Sequence, residues 1–391
     1  MKTYYSKTAG LLLIFVTFAA SSSGQESQFP PLAKRVVTTS VSVKPGDVVV
    51  IAGGSQTIPL MEDIAIEASK AGAMVQMLLN TDRLARTINA DVSEKYLKQQ
   101  PTYLVDWIKD VDIWIAMPDL VDYPATVAGV SEERLAEINK SGEIVSRALN
   151  SSKLKFLFID FPNKADAALY QVPYPELEKM HWDAVNADYG QISDKGNQLK
   201  EMLEHSNRVR ITSPKGTDLT FSLRDRPVIV DAGIVTPAKS QSNVFQNRAV
   251  SLPGGVVSFA PLETSGEGKV FAIRERCRPD VPLVGASFDV QDGKITNFKA
   301  ESGAECYRQS MASYGGPKDM LGSVSIGLNP AMKVTEHYRP AAALGMIWLA
   351  FGNNETLGGK NNEPGGFSFP VTNATVEIDG KTVMKDGQLQ F

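Results

Sequence analysis

Short apolar segments alternate with helical patterns over the first 160 residues, and this alternation constrains the fold more than any other feature of the sequence. Residues 48–52 form an apolar run after a Pro-Gly-Asp turn, which predicts a buried strand. Apolar residues then recur at helical spacing from Leu60 to Ala71, and a glycine ends the pattern. Further short buried strands are predicted at 74–80, 111–118 and 154–162. Strand and helix in alternation predict an α/β fold with a mainly parallel sheet.

The pattern changes near residue 207. Residues 208–230 alternate apolar and polar side chains around Lys215-Gly216, which is typical of a β-hairpin. Three Asp-Gly pairs predict further turns between strands: Asp292-Gly293, Asp379-Gly380 and Asp386-Gly387. We therefore predict an α/β domain over 34–207 and a β-rich α+β domain over 208–391, with helices near 302–313 and 340–350.

The first 24 residues have the features of a secretory signal peptide. Lys2 and Lys7 precede a run at 11–20 that is apolar except for Thr17, and small residues follow it. This run is too short to span a bilayer, and no later segment is long and apolar enough to do so. The sequence predicts an exported protein without a membrane span, either periplasmic or extracellular.

Two cysteines, Cys277 and Cys306, are present in the whole chain. An even number of cysteines in an oxidising compartment predicts a disulfide, and two unpaired thiols are the alternative.

The formal net charge of −4 and the absence of a basic stretch interleaved with aromatic residues argue against a nucleic-acid partner.

A series of short motifs in the second half suggests a family. They are RITSPKGTDLTF, LPGGVVSFAP, LGSVSIGLNP, ALGMIWLAFGNN, LGGKN and TVEIDG, in that order. Their order and spacing resemble those of the aminopeptidase T-like metalloaminopeptidases, which are related to the 2,5-dihydroxypyridine dioxygenases. The resemblance covers nearly all of the chain after the leader. It implies the family's two-domain fold, a homodimer, a divalent metal cofactor and metal-dependent removal of N-terminal residues from peptides.

The residues at the family's metal-ligand positions differ from the family pattern. Val256 stands where a glutamate follows the Pro-Gly-Gly turn, and Ser323 stands where a glutamate follows a Leu-Gly pair. Trp348 replaces a histidine, while Gly366 and Ser368 replace a His-x-Asp pair. Shifting the histidine match by seven residues gives Ala341, which is no better a ligand. Zinc and iron need several N, O or S donors at one point, so no metal and no other cofactor is expected.

We expect the space of this former metal site to persist as a pocket for a small molecule or a peptide. The candidate pocket residues are Val256, Glu263, Ser323, Glu336, His337, Trp348 and Ser368.

Other polar groups are weaker candidates. His181-Trp182-Asp183 imitates a His-x-Asp pair but is expected on a helix surface. Arg274, Arg276 and Arg278 are expected on one face of a strand.

Two functional hypotheses follow from these residues. In the first, the chain is an exported aminopeptidase T-like protein that has lost the family's metal site and acts as a binding protein. In the second, it is a working peptidase or other hydrolase with an atypical site. The metal content of the purified protein separates them.

Overall fold

The computed structural model describes residues 29–278, 281–362 and 365–391. The predicted signal peptide lies outside these ranges. Within them, no helix combines the length and the apolar character that crossing a bilayer requires.

The first half alternates helices and strands, as the sequence predicts. Its elements are α1 (Pro30–Arg35), a π-helix (Val36–Ser40), β1 (Val48–Gly54), α2 (Ile58–Lys70), β2 (Met74–Asn80), α3 (Asp82–Asp91), α4 (Glu94–Leu97), α5 (Thr102–Ile108), β3 (Ile113–Ala116), α6 (Tyr123–Val127), α7 (Glu132–Ser151), β4 (Lys155–Ile159), α8 (Lys164–Tyr170), α9 (Tyr174–Val185) and α10 (Tyr189–Glu204).

The second half is rich in strands. Its elements are β5 (Val209–Thr212), β6 (Asp218–Phe221), β7 (Val228–Asp231), α11 (Pro237–Ser240), α12 (Phe245–Arg248), β8 (Ala249–Leu252), β9 (Val256–Phe259), β10 (Glu267–Arg278), β11 (Val281–Gln291), β12 (Lys294–Lys299), α13 (Ala304–Ser313), β13 (Leu321–Gly327), β14 (Ile347–Gly352), β15 (Gly366–Val371), β16 (Thr375–Ile378), β17 (Lys381–Lys385) and β18 (Gln388–Leu389).

Three sheets organise these strands. The first has the order β2-β1-β3-β4-β8, and every pairing in it is parallel. An eight-stranded antiparallel sheet has the order β12-β11-β10-β6-β5-β16-β17-β18, and a five-stranded antiparallel sheet has the order β15-β14-β13-β9-β7. The predicted fold class, a parallel α/β region followed by a β-rich region, is confirmed.

The Pro-Gly-Gly turn carries the chain from the first sheet to the third. β8 pairs with β4 in the parallel sheet, whereas β9, three residues further on, pairs with β7 and β13. Two buried side chains hold the turn: the Tyr189 hydroxyl accepts the Gly254 N–H at 3.0 Å, and the Asn329 amide donates to the Gly254 carbonyl at 3.0 Å. Gly255 has φ of 115°, and a Cβ there would lie 3.0 Å from Asn329. The turn therefore requires glycine at this position.

One hydrophobic core joins the two halves. A single cluster of buried side chains contains Ile51 and Ile115 from the parallel sheet together with Val257, Val324 and Leu349 from the third sheet. A cluster that crosses the predicted boundary at residue 207 stabilises the halves against each other as well as within themselves.

Two local predictions have clear outcomes. The expected disulfide is present: Cys277 at the end of β10 and Cys306 in α13 are joined with an S–S distance of 2.09 Å. The helix predicted near 302–313 is α13, but the helix predicted near 340–350 is wrong. That segment forms a turn around Gly345, whose φ is 79°, and then β14.

Candidate functional site

The five positions that match the family's metal ligands lie on one face of the third sheet. Ser323 pairs with Ala350, which in turn pairs with Ser368. Trp348 lies two residues before Ala350, and Gly366 two residues before Ser368. Directly paired residues and alternate residues of a strand project to the same face, so these four positions share one face. Trp348 pairs with Pro370, four residues from Gly366, so Trp348 and Gly366 lie on opposite sides of the row formed by Ser323 and Ser368.

Val256 lies at one end of the five positions. It projects from the same face but pairs with Gly327, which is four residues beyond Ser323 along β13. Four residues of an antiparallel strand span about 13 Å. The structure therefore places Ser323 and Ser368 in one row across the sheet, with Gly366 on one side of that row and Trp348 on the other. Val256 lies one step beyond Trp348, beside Asp231 of β7.

A cleft of about 500 Å³ opens over Trp348. It is lined by Ala168, Leu169, Tyr170, Gln171, Arg274, Glu275, Arg276, Pro282, His337, Tyr338, Arg339, Pro340 and Trp348. A second space of about 410 Å³ shares Glu275, Arg276 and Trp348 with it and extends along β15 past Gly366 and Ser368. Each of the two spaces is large enough for a small organic ligand.

The end of β10 forms one wall of the cleft. Arg274 and Arg276 are two residues apart on the strand and both line the cleft. The pairing of β10 with β11 shifts register between Arg276 and Arg278. This irregularity breaks the strict alternation of side chains, so the expectation that Arg278 joins the other two arginines is wrong. Arg278 is exposed and does not line the cleft.

Two tyrosines form another wall of the cleft. The ring of Tyr170, at the end of α8, packs at 4.7 Å from the ring of Tyr338. The backbone N–H groups of His337 and Tyr338 both donate to the hydroxyl of Thr335, which fixes this loop as a tight turn. Burial raises the pKa of Tyr170 to about 12, and the nearby carboxylates of Asp166 and Asp160 add to the shift. The phenol is therefore neutral at physiological pH.

The charged groups of the cleft are predominantly basic. Arg274 lies 3.7 Å from the exposed carboxylate of Glu336, and Arg339 reaches the carbonyl oxygen of Arg274 at 3.5 Å. Arg276 donates to the carbonyl oxygen of Leu169. Burial raises the pKa of the Glu275 carboxyl. The hydrogen bond that this carboxyl accepts from the Arg276 backbone N–H lowers the pKa, but by less than burial raises it.

The other charged candidates occupy different places. His337 lines the cleft with 18% of its side chain exposed, while Glu336 stands at the rim with 71% exposed. Glu263 is outside the cleft. Its carboxylate is 2.6 Å from Arg226 and also accepts hydrogen bonds from the Asn354 side chain and the Lys360 N–H.

His181 is buried in α9 rather than exposed on a helix surface as expected. Its side chain is 3% exposed, and Nε2 is 2.9 Å from the carbonyl oxygen of Asp160. Burial lowers the pKa of His181, so the ring is neutral at pH 7. Asp183 forms a surface ion pair with Lys179 instead of approaching His181. The two residues therefore do not act as a His-x-Asp pair.

Several lining residues could not be found from the sequence. Tyr170, Glu275, Tyr338 and Arg339 come from three segments that are distant along the chain. No local pattern marks them, because their proximity depends on how α8 and the 335–340 loop pack against β10. Arg274 and Arg276 form a cluster that is visible in the sequence, but no sequence pattern indicates the cavity that they line.

Comparisons with known proteins agree with this fold. The family model of the thermophilic metalloproteases, M29, matches residues 25–336. The structure is similar to wild-type AmpT from Thermus thermophilus, with a TM-score of 0.72 and 18% identity over 93% of this chain and 99% of that one. It is also similar to 2,5-dihydroxypyridine dioxygenase from Pseudomonas putida KT2440, with a TM-score of 0.60 and 15% identity over 93% of this chain and 97% of that one.

The family match and the structural similarities each establish a limited set of properties. The family match ends before β14 and β15, the strands that carry Trp348 and Ser368. The two structural similarities, at such low identity, establish the fold alone. No curated protein sequence gives a significant match.

Proposed function

Since this chain belongs to the M29 family of thermophilic metalloproteases, we propose that it is a member of that family that binds a small molecule or peptide without the family's metal centre. The observation that carries the proposal is the chemistry of the sheet face. At the positions that resemble the family's ligands, this face presents a valine, two serines, a tryptophan and a glycine.

The donor set does not fit a zinc or iron ion. Such an ion takes imidazole, thiolate or carboxylate ligands that meet at one point, and a neutral hydroxyl is a poor substitute. Among the residues that the structure describes, no three His, Cys, Asp or Glu side chains form a group that could hold a metal ion. We therefore derive no hydrolytic step through a metal-bound water for this chain.

The cleft over Trp348 supports a binding role. It combines aromatic side chains with a few charged groups, which is the usual composition of a small-molecule site. Its lining comes from α8, β10, the 335–340 loop and β14, so a ligand there would contact both halves of the chain.

The test of this proposal is elemental analysis of the mature protein, purified without added metal, beside a peptidase assay with and without zinc or cobalt. We expect well below one equivalent of any transition metal, and no turnover in either assay. About one equivalent of tightly bound metal, removed by a chelator with loss of activity or of thermal stability, would establish the alternative of a working metallopeptidase.

We also propose that the mature protein is exported and dimeric. The leader-like N-terminus and the Cys277–Cys306 disulfide support export, because disulfides persist in oxidising compartments. The dimer is inferred from the family resemblance. Expression of the full chain, followed by N-terminal sequencing and light scattering, tests both. An intact leader in the purified protein would contradict export, and a monomer mass at micromolar concentration would contradict the dimer.

A further inference from the structure

Among the described residues, the charged side chains that line the cleft are mostly basic. Three arginines line the cleft: Arg274, Arg276 and Arg339. Glu275 is the carboxylate that lines it with them, and Glu336 stands at the rim. Among the described residues, the carboxylate nearest to Arg274 is Glu336, at 3.7 Å and 71% exposed.

The remaining charged groups near the cleft lie behind its walls. Asp160 and Asp166 act on the hydroxyls of Tyr170 and Tyr338 but do not line the cleft. His337 lines it and would add positive charge if protonated. Several guanidinium groups on one wall repel each other, and burial makes this repulsion stronger than it would be in water. Burial also lowers the pKa of Arg339, yet an arginine remains charged at any physiological pH.

We propose that this wall is an oxyanion-binding site and that the ligand of the cleft is a small molecule carrying a carboxylate or phosphate next to a planar apolar group. The oxyanion contacts Arg274 and Arg339, and the planar group lies between Trp348 and the tyrosine wall. This inference rests on the proposed function, because it supplies the ligand class for the same cleft.

The chemistry of the side chains supports this class of ligand. A guanidinium presents N–H donors in a planar fork that matches the two oxygens of a carboxylate or phosphate. The Arg339 guanidinium donates to the backbone carbonyl oxygen of Arg274 at 3.5 Å, which places it against the strand that carries Arg274. Trp348, Tyr170 and Tyr338 supply flat apolar surface, and aromatic rings pack on such surface with further stabilisation.

The first experiment compares ligands that share one ring and differ in charge. Titration calorimetry at low salt would use phenylacetate, phenyl phosphate and the neutral phenylacetamide as probes. We expect at least one anion to bind, and the amide to bind at least about tenfold more weakly. Tighter binding of phenyl phosphate would identify phosphate as the oxyanion, and tighter binding of phenylacetate would identify carboxylate.

The second experiment changes the arginines. We expect Arg274→Met and Arg339→Met each to weaken anion binding at least about tenfold, and Arg339→Lys to weaken it less because the charge remains. Arg147→Met is the matched control: Arg147 is 68% exposed on α7, and its partner there is Glu143 at 3.6 Å. Far-ultraviolet circular dichroism and the melting temperature establish that each variant is folded. If a methionine variant does not fold, Arg339→Lys and the ligand series still decide the question.

Three results would overturn the inference: equal binding of phenylacetate and phenylacetamide, unchanged anion binding in the folded arginine variants, or no binding of either anion at about 10 mM. These results are distinct from a failure of the proposed function. That failure would appear as stoichiometric metal in elemental analysis, which the arginine variants and the neutral amide do not measure.

Discussion

Glu263 has a structural role that its position in the sequence did not reveal. It follows the Pro-Gly-Gly segment closely and was a candidate for the pocket, yet it forms a nearly buried ion pair with Arg226. Both side chains are mostly shielded, at 12% and 8% exposed. Burial alone would raise the pKa of Glu263, but the hydrogen bonds from Lys360 and Asn354 and the charge of Arg226 outweigh it and hold the pKa below its usual value.

The substitution Glu263→Gln tests this role. Because the folded-state pKa is depressed, the contribution of Glu263 to the free energy of unfolding is complete above the unfolded pKa of about 4.3. It is lost as pH falls through the folded-state pKa. We expect the variant to lose about 2–4 kcal/mol at pH 7, because Arg226 is left buried without its partner, and to lose progressively less below pH 4.

Urea unfolding of the wild type and the variant across this pH range measures the effect. Glu143→Gln is a suitable control, since Glu143 is 60% exposed and 3.6 Å from Arg147, and its loss should cost less than about 0.5 kcal/mol. A penalty for Glu263→Gln that stays constant from pH 7 to pH 3 would show that the charge of Glu263 does not contribute.

Single residues also show the limit of the sequence analysis for the site. The matches at Ser323, Trp348, Gly366 and Ser368 define positions on one sheet face, spread over three successive rows. Val256 was matched by the same reasoning, but the register of β9 against β13 offsets it by about 13 Å along the strands from Ser323. A sequence motif gives the order of residues along a strand, whereas their separation across a sheet depends on register, which is set by packing elsewhere.

At the scale of elements, β14 shows why the segment 340–350 was predicted to be a helix. Its sequence AAALGMIWLA is apolar and contains good helix-forming residues. A strand buried on both faces is also continuously apolar, so periodicity does not distinguish the two structures. The segment becomes a strand because β13 and β15 pair with it on both sides. Four strands of the parallel sheet, β1 to β4, were predicted correctly because helices lie between them in the sequence.

The disulfide connects the end of β10, the strand that carries Arg274 and Arg276, to α13. Its cysteines are 29 residues apart, and closing a loop of this size in the unfolded chain is worth roughly 3–4 kcal/mol. We expect the double variant Cys277→Ser, Cys306→Ser to lose about this much stability in urea unfolding. Reduction of the wild type should produce a similar loss, and the double variant should not respond to the reductant. If thiol titration confirms reduction but the unfolding midpoint does not move, the estimate is wrong.

At the scale of the whole molecule, both predicted regions are present. The parallel sheet of the first region, however, takes one of its strands, β8, from the second half of the chain. The sequence indicates that the hydrophobic pattern changes from helical spacing to strand alternation near residue 207. It does not indicate that Ala249–Leu252 returns to the parallel sheet, because a four-residue apolar strand is equally compatible with any sheet edge. The domain boundary at residue 207 therefore remains a prediction from the sequence pattern. The shared hydrophobic core contains residues from before and after this boundary.

The return of β8 to the first sheet has a consequence for synthesis on the ribosome. When residue 207 has been made, four strands of the parallel sheet are available, but the outer edge of β4 has no partner until residue 252 has emerged. An uncovered parallel edge is a site for aggregation. We expect a fragment of residues 29–207 to be largely insoluble and a chain ending after β9 to be more soluble, as measured by partitioning after expression. Equal solubility would mean that the nascent sheet does not need its last strand, and that translation could pause at residue 207 without harm.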